Sequence, residues 1–181
     1  MSDLLISNGT AIVLADATDY NPTNSLGART DQLDLTSLAN GAYRQSAKVD
    51  FGATRAELWE ATGMIEPGVA PTAQGPIELW IGWSASATPG TGNPGNLSGI
   101  DAAYVGYGAA ATDADECINQ LDYIGHIPMS ADLVVQTGHF GYFTPKQRYG
   151  IVVVRNGCGQ ALEGDAVEMA IRLSPIIRSI S

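Results

Sequence analysis

The sequence predicts an all-β protein, an antiparallel β-sandwich of jelly-roll-like build that carries an extended N-terminal arm. Three observations lead there. Of the 181 residues, 21 are Gly and 9 are Pro, and both residue types interrupt helices and populate turns. Past Gln32 the apolar residues recur with period two, and turn signals divide them roughly every ten to fifteen residues, the pattern of a sandwich or barrel. At 45% hydrophobic and 15% charged, a chain of this length can bury roughly 70% of its unfolded surface. Disorder throughout is thereby ruled out. The length favours one domain, divided into an arm at 1–31 and a sandwich at 32–181.

The arm alternates short apolar pieces, Leu4-Leu5-Ile6 and Ala11-Ile12-Val13-Leu14, with the turn-prone Asn21-Pro22-Thr23-Asn24-Ser25. Two short strands are expected. Alone they would leave backbone donors and acceptors unpaired, so they need a sheet to join. That sheet is either their own, as a first hairpin of the domain, or that of a neighbouring subunit. Strands are then expected at about 32–38, 41–51, 55–66, 76–84, 104–108, 120–129, 132–143, 148–155 and 166–174. The clearest runs from Pro76 to Ser84, where Ile77, Leu79, Ile81 and Trp83 face one way and Glu78, Trp80 and Gly82 the other. Ile151-Val152-Val153-Val154 has no polar alternation and suits a central strand covered on both faces. In the last strand Val167, Met169, Ile171 and Leu173 alternate with Glu168, Ala170 and Arg172, and Pro175 is expected to close it because proline cannot donate to a ladder. Arg55 to Ala61 has helical propensity, but its surroundings favour strand. One short helix fits Thr112 to Asn119, which opens with a cap and an acidic first turn. The stretch Ser84 to Gly99 has four Gly and two Pro and reads as an exposed loop, either a contact surface or a mobile excursion.

Nine Lys and Arg against nineteen Asp and Glu give a net charge of -10. Such a surface repels phosphate, so no nucleic-acid partner is expected. The N-terminus has no basic n-region and is interrupted by Ser7, Asn8 and Gly9, which fits neither a signal peptide nor a spanning helix. Synthesis in the cytoplasm and no membrane partner are the expectations. Cys117 and Cys158 lie far from any second ligand at metal spacing; they either pair or stay as two thiols, as a reducing compartment favours.

The residues offer little catalytic chemistry. Glu57 and Glu60 are the nearest approach to a carboxylate pair, but on a strand their odd separation sends them to opposite faces, so they cannot flank one bond. Asp113, Asp115 and Glu116 lack the glycine and the later bidentate acid of a calcium loop. His126 and His139 have no third ligand or matching nucleophile. No nucleophile elbow or phosphate loop is present. No enzyme activity, catalytic residue, metal or cofactor is therefore expected. Trp80, turned opposite to Trp83, is the candidate surface aromatic: it serves packing or subunit contact, or stacks on sugar rings.

Three runs carry a resemblance: QLDLTSLANGAYRQSAKVDFGATRA, IELWIGWSASATPGTGNPGNLSGIDAAYVGY and FTPKQRYGIVVVRNGCGQALEGDAVEMAIRLSPII. Their order and local wording, a TxGTGNPGxxSGxDAAY loop, an RYGxxVVxN strand and a closing DAVEMxxxxxPI strand, resemble small structural proteins of tailed bacteriophages. The likeness covers most of the chain from residue 32. It implies a virion component, and the acidic exterior favours the outer surface of the capsid over contact with packaged DNA. The expectation is a capsid cement or decoration protein that binds the major capsid protein, in repeated copies or as a homo-oligomer. The alternative is a tail, neck or head-fibre component with a glycan-binding sandwich. Leu4, Leu5 and Ile6, with Ile12, Val13 and Leu14, are the expected contacts in the arm, and Ile176, Ile177 and Ile180 form a second apolar tail. On that reading, deleting residues 1–20 leaves a folded domain.

Overall fold

The computed structural model describes residues 4–22, 26–71, 75–108 and 111–180. It is an all-β sandwich of two packed, mainly antiparallel sheets, as the alternation predicted. The strands are β1 (Leu4–Asn8), β2 (Ile12–Ala15), β3 (Asp31–Gln32), β4 (Tyr43–Asp50), β5 (Leu58–Ile65), β6 (Pro76–Ser84), β7 (Ala102–Ala103), β8 (Asp122–Pro128), β9 (Gln136–Phe143), β10 (Tyr149–Asn156) and β11 (Ala170–Ile180). A short helix α1 (Ala111–Cys117) sits where the sequence placed one. The first sheet runs β3-β2-β11-β5-β9, with β1 also beside β11, and the second runs β7-β4-β10-β6-β8.

The core lies between the sheets. Ile12 and Leu14 of β2, Trp59, Ala61 and Ile65 of β5, and Ile171 and Leu173 of β11 meet Ile77, Leu79 and Ile81 of β6 and Val152 and Val154 of β10. These are alternate residues, as the pleat requires. Strand β10 is central, and Ile151 and Val153 are as fully buried as Val152 and Val154. Their cover on the outer side is a second small cluster in which Leu97, Tyr104, Ala114, Cys117 and Leu121 pack on Tyr43 and Trp80.

Several expectations need correction. Of the two readings of the arm, β2 takes the one in which it joins the chain's own sheet, between β3 and β11, so Ile12, Val13 and Leu14, expected as partner contacts, are buried. Beyond Gln32 the predicted strand at 32–38 gives way to turns, because Asp34 accepts the Thr36 amide and Ser37 takes a left-handed φ of 52°. Its leucines are nevertheless core, with Leu33 and Leu35 almost inaccessible. The strand expected at 104–108 is only Ala102–Ala103. The strand expected from 166 begins at Ala170.

Pro175 does not end β11, which continues to Ile180. Its carbonyl accepts the Gly9 amide at 3.1 Å, so its nitrogen also faces the β1–β2 side. There the ladder is already broken: Asn8 pairs with Ile176 and Ile12 with Leu173, leaving three residues against two. The missing N–H falls at a bulge, where proline costs no ladder bond. Gly9 belongs to the same device, since a Cβ there would come within 2.9 Å of the Pro175 ring and 2.8 Å of Ile177.

Candidate docking surface

β1 and β2 form one interrupted strand along the whole length of β11. On the other side of β11, β5 pairs only as far as Leu58 opposite Ile176. From Ile177 to Ile180, β11 therefore has β1 as its only strand neighbour among the described residues, and β1 has no second one. The result is a two-stranded ribbon that runs past the last β5 pair, with no strand on either outer edge among the described residues. On it lie the two apolar segments that the sequence singled out separately, Leu4-Leu5-Ile6 and Ile176-Ile177 with Ile180.

The base of the ribbon is aromatic. Phe51 meets Trp59 edge-on at 5.1 Å, Trp83 at 5.4 Å and Phe143 at 6.0 Å, closing that end of the core. Over Phe51 and Trp59 lies a depression of about 390 Å³ whose walls include Gly9, Thr54, Pro175 and Ile177. A second, of about 540 Å³, is bounded by Arg55, Glu57, Leu58, Thr144 and Ile176. Ile177 borders both and is 43% exposed. An extended segment laid along this edge of β11 would continue the line of β5 and meet backbone donors and acceptors with an apolar side chain beside them. Edges of this kind are where strands from other chains add.

The other predicted contacts fall elsewhere. Ile12 and Leu14 are core, and Val13 packs with Ala15 and Ala170 on the outer face of the first sheet. None of the three is available to a partner. Trp80 is not a surface platform: it is 9% exposed, with Tyr43 at 6.0 Å and Tyr123 at 5.3 Å. Its cover comes from the segment 94–121.

Glu57 precedes β5 and borders the larger basal depression, whereas Glu60 borders another on the outer sheet face. The two do not converge. Asp113 and Asp115 lie on α1, where Asp115 accepts the Tyr43 hydroxyl. Burial, and then that bond to a carboxylate, push the Tyr43 phenol above its ordinary range. His126 is exposed and bonds the Tyr123 hydroxyl at 2.9 Å; His139, also exposed, lies 3.5 Å from Glu60. No group of three metal-ligating side chains occurs among the described residues. Cys117 and Cys158 are buried free thiols in different clusters, the first on the outer side of the second sheet and the second in the main core.

The sequence reading missed how the long loop is held. Lys48 donates to Ser84 Oγ at 3.0 Å and to the carbonyls of Ser86, Thr88 and Thr91 at 2.8, 2.9 and 3.1 Å. Asp101 accepts from Gln32, the Asp34 amide and Arg44, the last at 2.7 Å. Gly95, Leu97 and Gly99 are buried, while the tip from Ala87 to Gly92 is exposed. A lone Lys between two apolar strand residues, 36 positions before the loop starts, was the available signal. Comparison of the chain with protein-family models, with curated proteins and with solved structures returned no significant match.

Proposed function

We propose that this chain is a non-enzymatic structural component of a tailed-bacteriophage virion, a cement or decoration protein on the outer surface of the capsid. The observation that supports docking is the ribbon of β1 and β11, which brings the apolar segments from both ends of the chain together beside two edges with no strand neighbour among the described residues. The partner proposed, the major capsid protein, rests on the resemblance that the wording of residues 32–177 carries to small tailed-phage virion proteins. A surface with net charge -10 fits the outside of a shell better than its DNA-filled interior.

In this reading a segment of the capsid lattice adds to the free edge of β11 and covers Ile177, so that affinity comes from backbone hydrogen bonds and apolar burial. Binding across neighbouring capsid subunits ties them together. The test is binding to purified capsids that lack the protein. Ile177→Asp places a charge on an exposed side chain and leaves the core alone; it is expected to stay folded and to lose capsid occupancy, read by co-sedimentation and by electron microscopy of the decorated shells. Unchanged occupancy with the folded variant would overturn the assignment.

A further inference from the structure

The outer face of the first sheet carries a depression of about 400 Å³ across β11, β5 and β9, one row along the strands from the one bounded by Leu58 and Ile176. Ser174, Glu60, Arg172 and Thr62 line it, and the strand register sets Tyr142 beside Glu60 and His139 beside Thr62 at its margin. Thr137 adds a further hydroxyl at the wall. Arg44, Arg148 and Arg155 each meet a carboxylate within 2.8 Å. Arg172 forms no ion pair among the described residues, and its Nε is buried without a hydrogen-bond partner. A half-buried guanidinium in that condition is a preorganised receptor for a planar anion, above all a carboxylate. Beside it Tyr142 is 57% exposed, with its ring 4.7 Å from that of His139.

We propose that this face binds a short carboxylated saccharide. The guanidinium of Arg172 takes the sugar carboxylate. Glu60 accepts from sugar hydroxyls while Thr62 and Thr137 supply hydroxyls of their own, and the apolar face of the sugar ring lies on Tyr142. The combination decides the class: a purely anionic ligand has no use for Glu60 or for an aromatic platform, and a neutral sugar leaves Arg172 unpaired. The net charge of -10 selects a singly charged sugar over a polyanion. This depression shares no lining residue with the two at the ribbon base and is not bordered by Ile177, so either assignment can fail alone.

The test is a titration of the intact chain, followed by amide chemical shifts, with N-acetylneuraminate and glucuronate, and with methyl glucoside as the neutral control. Saturable shifts confined to the amides around Thr62, Thr137, His139 and Arg172 are expected with the acidic sugars. Tyr142→Ala and Arg172→Gln should each raise Kd about tenfold or more, the loss that follows from removing one charge-assisted contact or one stacking platform. Tyr142 is exposed, so its variant keeps the fold and carries the test even where Arg172→Gln unfolds. No saturable shift with either acid, equal binding of methyl glucoside, or binding unaltered by Tyr142→Ala would each overturn the proposal.

Discussion

Lys48 is the residue on which the long loop turns. Its ammonium replaces water with one hydroxyl and three carbonyls, all between Ser84 and Thr91. Desolvation lowers its pKa, so the four oxygens matter to keeping it charged. Lys48→Met retains the apolar stem and removes the donors. It is expected to destabilise the fold by about 2 kcal/mol, the loss of hydrogen bonds to a charged group. Hydrogen exchange should show faster opening at 85–92 while the amides of β10 are still protected. Uniform loss of protection across the second sheet would mean that Lys48 supports the sheet rather than the loop. Asn156, the last residue of the RYGxxVVxN pattern, plays a related part at the other end of β10. Fully buried, it donates to the carbonyls of Leu38 and Gln160 and accepts from the Cys158 amide. The wording of that motif thus marks a turn anchor, not a reactive group.

At the scale of elements, β1 and β2 separate docking from stability, although they are one interrupted strand. Among the described residues, 4–8 pair only with Ile176–Ile180, whereas Ile12 and Leu14 fill the core. Removing residues 1–8 should cost little stability and abolish capsid binding. Removing 1–20, expected from the sequence alone to leave a folded domain, should unfold it, since each lost core side chain is worth about 2–3 kcal/mol. Thermal denaturation of the two truncations decides the matter: a folded 21–181 fragment would show that β2 is dispensable. The strands themselves were legible wherever alternation was strong, as in β6, or absent altogether, as in β10. What could not be read was cover. Trp80 reads as surface because its neighbours in sequence are strand residues, yet Leu97, Tyr104, Ala114 and Leu121 arrive from a segment rich in turns. The ribbon was half legible: both apolar segments stood out, but their pairing joins opposite ends of the chain and leaves no local periodicity. The Arg172 depression was illegible for the same reason, because its lining is assembled from three strands.

For the molecule as a whole, the charge balance sets the response to pH. Glu66 is pushed above its ordinary 4.5 by burial and then by Glu168, Glu163 and Asp165, and burial likewise raises Asp31. A group whose carboxyl binds its proton more tightly when folded adds stability as the pH falls through the raised value. Asp16 behaves oppositely. Burial resists its ionisation, but the Thr18 hydroxyl at 2.6 Å and the amides of Thr18 and Asp19 overcome it and hold the pKa at about 2. Its contribution is complete above the ordinary value of 3.8 and is lost as the pH drops towards about 2. Asp50, lowered by its hydrogen bond with Arg148, adds to that loss. Acidification also shrinks the net charge of -10 and with it the self-repulsion of the compact state. The melting temperature should therefore rise from pH 7 to about 4.5 and fall again towards pH 2. Glu66→Gln should raise the melting temperature at pH 7 and leave it unchanged near pH 4, because only the charged form is penalised. Asp16→Asn should lower it at pH 7 and flatten the acid limb. A Glu66→Gln variant that melts with the parent at pH 7 would show that the acidic group around Glu66 is fully relaxed by solvent.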